Sequence, residues 1–481
     1  MFSMEIITCL LAGNSSFASS VTIQDAQDRL LAVHLHEVFD AKISLLPFKG
    51  LRTMPAIAEV SNVKSGEAVK LTIPAAYVPG AFVLRIDYRA KESDTPYPAE
   101  RVIFINKQDV ELKVNPPYIN NDERTSFNVG EEENRVYSSF MKANSARRMP
   151  IDLLRQLLLS YDRPQSDFYT QGVKEYEQRR VEYNNWLTDQ ARAHKKLYVS
   201  HLFGFQYIPA VVWSGDEKDH MNQILKNYFD GIDFNDPLII RSSEMSVFMD
   251  AYMGLYGLQA STTELRDSLF TQAGSVACEK ASKGDPLVYG WMVDYFYAGY
   301  ETYNIKNGMV MLQKHIDDPN CLTSKKQQIT ERLESITRLA SGVMSPDFVM
   351  SDNKGKDFEF HKWKPKARQK LLVFWTTDCI DCMKLVEELR QWHDQSANKK
   401  IVDIVAVNLD EPEVGVKRWE KVIGMTPLWK HLQAKQGVNS PVAREYSILS
   451  APAMFLVDSK NNLIISVPEN IEQLIGALKT R

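Results

Sequence analysis

The sequence predicts a multidomain chain: a β-rich, sandwich-like N-terminal domain, a central α-helical domain and a C-terminal α/β domain. Three observations predict it. The length, 481 residues, exceeds what one ordinary core fills. The apolar pattern alternates with period two before about Val114 and recurs every three or four residues from about Asn134 to Leu339. Beyond Met344 short, wholly apolar runs alternate with helical faces. The expected boundaries are a possible signal peptide over residues 1–20, the β-rich domain over 21–115, a linker over 116–133, the helical domain over 134–343 and the α/β domain over 344–481.

Within the β-rich region, Ala68–Ile73, Ala81–Tyr88, Arg101–Asn106 and Val110–Val114 read as strands. Pro74, Pro79-Gly80 and Pro96-Tyr97-Pro98 punctuate them. Regular short strands with turn signals suggest a small sandwich. Pro116-Pro117 and the polar stretch Asn120–Glu133 read as the linker. In the helical region Leu153, Leu154, Leu157, Leu158 and Tyr161 share a face, as do Met245, Phe248, Met249, Tyr252, Met253 and Tyr256. Val173–Lys196 is a long charged helix. The aromatics from Tyr289 to Tyr300 read as helix–helix packing rather than as a ligand groove.

Hydrophobic residues make up 44% and charged residues 25% of the chain, a globular and not a disordered balance. The net charge of −4 gives no general attraction to nucleic acid, which is not an expected partner, or to anionic membranes. The basic run Lys362–Lys366 reads as a solvated loop. Near the start, the apolar run Ile6–Ala12 precedes small and polar residues, with Ser16-Phe17-Ala18 in the pattern a signal peptidase reads. The signal is atypical, because Glu5 precedes the run and no Lys or Arg does. Export, to a periplasm or otherwise, is the expectation.

Cysteine is sparse: Cys9, Cys278, Cys321, Cys379 and Cys382. That is no disulfide framework, and Cys278 and Cys321 could equally pair or stand as buried thiols. Spacing singles out Cys379-Ile380-Asp381-Cys382. The apolar run Leu371–Trp375 before it reads as a central strand covered on both faces. Leu385, Val386, Leu389 and Trp392 after it give a helical face. The cysteines therefore stand where a strand hands over to a helix. A helix N-terminus offers unpaired N–H groups and partial positive charge, and both stabilise a thiolate. Two intervening residues bring the second sulfur within bonding reach of the first. Cys379 would attack a substrate disulfide and Cys382 would resolve the mixed disulfide. Zinc is the rival use of such a pair, but a tetrahedral site needs further ligands. His361, His393 and His431 are scattered singly, so no metal is expected, and the only redox group called for is the Cys379–Cys382 disulfide itself.

Downstream, Ile401–Val407 reads as a strand ending in Asn408-Leu409-Asp410, and Val416–Ile423 as a helix. Tyr446–Asp458 leading into Asn461–Ile465 reads as a strand, a turn and a hairpin partner, and Ile471–Leu478 as a closing helix. With Ser345-Pro346-Asp347-Phe348, Phe374-Trp375, the two cysteines, Asn408-Leu409-Asp410 and Ala451-Pro452 before Phe455–Asp458, residues 344–481 resemble the TlpA- and ResA-type thiol-disulfide oxidoreductases of the thioredoxin superfamily. The resemblance implies a thioredoxin fold with Cys379 and Cys382 catalytic. It implies a cis-proline at Pro452, which faces the cysteines, keeps metal away and offers the Ala451 backbone to a client; Trp375 is counted with them as a substrate contact. It also implies export, disulfide-containing client proteins and a membrane electron donor.

The departures are local. Asp378 stands where the family carries Trp, and Ile380-Asp381 replaces its usual pair. Two carboxylates beside the cysteines should disfavour the thiolate and favour a reducing couple. The run Leu371–Trp375 carries no acid for proton transfer. Two other readings remain: a periplasmic or surface binding module with an accessory C-terminal domain, and a thiol peroxidase, suggested by Thr376 three residues before Cys379.

Overall fold

A computed structural model describes residues 27–49, 51–213, 215–410, 416–448 and 451–479. The expected signal segment and Cys9 lie outside them. The chain divides into two compact units, residues 1–299 with 317–324 and residues 300–316 with 325–481. The unit holding the cysteines thus begins upstream of Met344. Among the described residues no helix is long and apolar enough to cross a membrane.

The first unit opens with β1 (Arg29–Leu35), β2 (Asp40–Lys49), β3 (Arg52–Thr53), β4 (Ala58–Lys64), β5 (Ala68–Ile73), β6 (Gly80–Arg89), β7 (Tyr97–Ile105), β8 (Val110–Val114) and β9 (Ser126–Phe127). One sheet runs β5-β1-β8-β9; another runs β3-β2-β6-β7, with β4 also on β2. Alternation explains the pairing. Val110, Leu112 and Val114 face in while Glu111 and Lys113 face out. Leu31, Val33 and Leu112 from one sheet and Ile43, Leu45, Phe82 and Leu84 from the other share one core. The stretch expected as a linker is packed: Phe127 in β9 pairs with Leu112, and Thr125 is buried.

Helices follow: α1 (Glu133–Leu159), α2 (Asp167–Ala193), α3 (Glu217–Asn227), α4 (Glu244–Gly257), α5 (Thr263–Ala281) and α6 (Pro286–Tyr303). Polar clamps tie α1 to the strands. Asn134 accepts from the Phe104 amide and donates to the Phe104 carbonyl, both at 2.8 Å, as a neighbouring strand would. Met245, Met249, Tyr252 and Tyr256 are buried, so this face packs between helices. Cys278 and Cys321 are both buried.

The second unit contains α7 (Lys306–Ile316), α8 (Lys326–Arg338), a hairpin of β10 (Val349–Ser351) and β11 (Asp357–Glu359), then β12 (Gln369–Trp375), α9 (Ile380–His393), β13 (Val402–Asn408), α10 (Val416–Met425), β14 (Lys430–Gln433), α11 (Pro441–Glu445), β15 (Ala453–Asp458), β16 (Ile464–Ser466) and α12 (Ile471–Lys479). The sheet order is β14-β13-β12-β15-β16. β12 is central, parallel to β13 and antiparallel to β15. Its pleat divides it between two cores. Leu372 and Phe374 face Val405, Tyr446 and Phe455. Leu371, Val373 and Trp375 face α9 and α12 through Leu385, Leu389 and Leu474. Burial on both faces is why this strand is apolar throughout.

One charge interrupts it. Lys370 is wholly buried, and its Nζ donates to the Phe360 carbonyl at 2.7 Å and to Asn462 Oδ1 at 2.8 Å. Burial pushes its pKa down to about 8. The folded value then lies below the unfolded one, so between about pH 8 and the ordinary lysine value near 10.4 the unfolded chain binds more protons. Stability should therefore rise with pH across that window. Urea midpoints measured from pH 7.5 to 10 in wild type and Lys370→Met check this; a rise of equal size in both would refute it.

Candidate functional site

The topology gathers one edge of the second unit's sheet. β12 and β13 are parallel and end side by side, Trp375 opposite Asn408. β15 runs the other way and begins there, Ala453 opposite Phe374. Three connections meet at this edge: Thr376–Cys379 leaving β12, Leu409-Asp410 leaving β13 and Ala451-Pro452 entering β15. The carboxyl ends of parallel strands are where α/β sheets build sites.

Cys379 is the N-cap of α9, and its Sγ accepts from the Cys382 amide at 3.0 Å. The helix thus directs an N–H at the first sulfur, which is what an anionic sulfur needs. Cys379 and Cys382 form a disulfide with their Cα atoms 5.1 Å apart. Cys379 is half-buried and Cys382 fully buried beneath it, so only the first is open to attack. The face holding Cys382 continues as Leu385, Val386, Leu389 and His393. The expected Trp392 packs against the same core, partly buried. His393 Nε2 donates to the Val402 carbonyl at 2.9 Å, and Nδ1 accepts from Trp429 Nε1 at 3.3 Å. His431 is buried as well. Among the described residues, no group of three or more His, Cys, Asp or Glu could hold a metal ion.

The Ala451–Pro452 peptide is cis, and the Ala451 carbonyl oxygen lies 3.5 Å from Cys379 Sγ. The Ala451 carbonyl therefore stands at the dithiol, with Pro452 next in the chain. Trp375 does not. It is 0% exposed, because the pleat of β12 turns it into the core beneath α9. From there it touches no client, and its assignment as a substrate contact is corrected to a core residue.

Asp378 is exposed and paired with Arg418 of α10. The guanidinium opposes the field of that carboxylate on the neighbouring sulfur. Asp381 is exposed in the first turn of α9. Thr376 Oγ1 lies 4.0 Å from the Sγ of Cys382, the second cysteine. A peroxide site built on Thr376 would need that hydroxyl at Cys379.

Two residues at this edge carry roles that spacing did not show. Ile380, between the cysteines, is 86% exposed, an apolar side chain held in water at the mouth of the site. Asp410 is buried: Oδ1 accepts from the Thr377 amide at 2.9 Å and Oδ2 from Asn408 Nδ2 at 2.9 Å. It braces the turn two residues before Cys379. The one local signal was a polar pair, Asn408 and Asp410, following the apolar run Ile404–Val407. Asp410→Ala would strip two buried donors of their acceptor, costing about 1–3 kcal/mol, and would loosen the turn. We expect a lowered urea midpoint together with slower disulfide exchange, whereas Asp410→Asn, which keeps an acceptor for Thr377, should retain most of both. Equal rates in wild type and Asp410→Ala would remove Asp410 from the site.

The thioredoxin-like family model matches residues 369–463. Among curated proteins, thiol-disulfide oxidoreductase ResA of Geobacillus thermodenitrificans (strain NG80-2) is 28% identical over 150 residues, 30% of this chain and 80% of that protein. ResA of Bacillus thuringiensis subsp. konkukian (strain 97-27) is 26% identical over 144 residues, 30% of this chain and 79% of the relative. Among solved structures, a thiol-disulfide oxidoreductase from Bacteroides fragilis NCTC 9343 is similar at 25% identity and a TM-score of 0.25, over 29% of this chain and 98% of that one.

Proposed function

We propose, from a C-terminal domain that is thioredoxin-like and related to the ResA thiol-disulfide oxidoreductases, that this enzyme reduces disulfides in exported client proteins through Cys379 and Cys382. The observation that carries the reading is the asymmetry of the pair: a half-buried sulfur capping a helix above a buried partner. The Cys379 thiolate attacks one client sulfur and expels the other as a thiolate, which takes a proton from water. Cys382 loses its proton to water and attacks Cys379 Sγ. The second client sulfur leaves as a thiolate and takes a proton from water in turn, and the Cys379–Cys382 disulfide closes. The client gains two electrons and two protons, and a membrane electron donor returns the electrons to the protein.

The Ala451 backbone would receive the client chain, and Ile380 would give it an apolar contact. Asp381 acts against the thiolate and favours reduction; Asp378 does so less than its position suggests, because Arg418 opposes it. The position of Thr376 beside Cys382 disfavours a peroxidase. A second reading, a binding module with an accessory redox domain, draws on a cavity of about 340 Å³ in the first unit, lined by Arg148, Arg155, Tyr176, Tyr228 and Phe248. Insulin reduction by the dithiothreitol-reduced full chain, with alkylation mass mapping of the cysteines, separates the two. Turnover with oxidation confined to Cys379 and Cys382 supports the enzyme. No turnover above the uncatalysed rate leaves the binding module.

A further inference from the structure

A cavity of about 530 Å³ lies within the second unit and has Pro452, the residue after Ala451, in its lining. That is within the ~300–1,000 Å³ of ligand pockets. One wall is the C-terminal sheet and its corner, with Pro452, Ala453, Phe455 and Ile465. The other is α7 and α8, with Val310, Ile336 and Leu339. The helical wall is fixed to the sheet. Arg338 Nη2 donates to the Glu445 carbonyl at 3.0 Å, Ser335 bonds Ser447, and the Gly342 amide donates to the Ile464 carbonyl at 2.7 Å. The cavity is therefore built by the helices preceding the thioredoxin-like segment together with that segment.

Its lining also carries Lys306, Glu301, Arg332 and Asn304. Glu301 Oε1 and Arg332 Nε stand 2.9 Å apart as an ion pair. Arg332 Nη2 also donates to Asn304 Oδ1 at 3.3 Å. Among the described residues no carboxylate lies within ion-pair distance of Lys306. Burial holds its pKa below the ordinary lysine value, against the attraction of Glu469. A carboxylate entering here would meet an under-compensated ammonium, with the Arg332 guanidinium, already held by Glu301 and Asn304, nearby. Ile448, Phe455, Ile465 and Val467 give the same cavity apolar surface, alongside Ser335, Ser341, Ser447 and Ser466.

We propose that this cavity is a client-recognition site, which takes an extended polypeptide segment presenting an apolar side chain to Val310, Ile336 and Phe455 and an acidic side chain to Lys306. The inference rests on the dithiol reading above, and it gives that chemistry a selectivity. The Ala451 carbonyl lies 3.5 Å from Cys379 Sγ and the next residue, Pro452, lines the cavity, so a client chain received at Ala451 would have the cavity beside it. Clients are then chosen by the residues flanking their cysteine.

The test uses the full chain, reduced with dithiothreitol and freed of excess, against three probes. Two are disulfide-linked peptides alike except that a Leu-and-Glu segment beside the cysteine in one is Ser and Gln in the other. The third is 5,5′-dithiobis(2-nitrobenzoate), a small disulfide with no polypeptide segment. The readout is the ratio of kcat/KM for the two peptides. We expect about tenfold in favour of the acidic, apolar peptide, the effect of one partly buried charge contact. Lys306→Gln and Val310→Trp, which removes the charge and fills the cavity respectively, should each bring the ratio close to one. A wild-type ratio near one, or an unchanged ratio in Lys306→Gln, overturns the site. Failure of wild type to reduce the small disulfide would instead overturn the dithiol reading, and the cavity's role with it.

Discussion

Cys379→Ser should lower insulin reduction by roughly three orders of magnitude or more, the scale of losing a catalytic nucleophile. Cys382→Ser should fail differently. Its Cys379 can still attack, but nothing behind it resolves the mixed disulfide, so client and protein should remain joined. Non-reducing electrophoresis followed by mass mapping should find the adduct at Cys379 in Cys382→Ser and none in Cys379→Ser. The difference follows from burial: Cys379 is half-buried and Cys382 lies fully beneath it. Adducts of equal yield in both variants would mean that either sulfur reaches the client, which the geometry of α9 forbids.

Trp375→Ala should cost about 3–5 kcal/mol of stability, the usual price of emptying a large aromatic site in a packed core. Trp375 lies among Leu371, Val373, Leu385, Leu389 and Leu474 in one continuous cluster. Trp375→Phe should recover much of that loss and leave KM for insulin unchanged, because no client touches this side chain. Urea unfolding and steady-state kinetics on the two variants check both halves. A raised KM in Trp375→Phe with wild-type stability would restore Trp375 to the substrate.

Trp375 also shows where sequence reading stops. An aromatic beside two cysteines looks like a contact, but the pleat of β12 decides which face it takes, and only packing fixes that face. The elements of β12, α9, β13, β15 and α12 were legible because each carries a long apolar signature. β14, four residues reading Lys-His-Leu-Gln, has none; its pairing with Val405–Asn408 supplies the strand. The short hairpin of β10 and β11 was hidden for the same reason. In the first unit β5, β6, β7 and β8 stood out, whereas β9 is two residues long and looked like linker. Asp410 was visible as part of a resemblance, but its bond to Thr377 spans 33 positions of sequence, a distance no local pattern crosses. Arg418 at Asp378 was hidden likewise, and so was the joining of α7 and α8 to the unit of the cysteines.

The most direct measurement of the central claim is the reduction potential of the Cys379–Cys382 pair, by equilibration in defined thiol buffers, alkylation and mass analysis of both cysteines. A reductase should come near or below the roughly −270 mV of thioredoxin, with Arg418→Ala lower still, because Asp378 would then act unopposed on the thiolate. A value near about −120 mV, that of a strong oxidant, would contradict the account and assign the enzyme to disulfide formation.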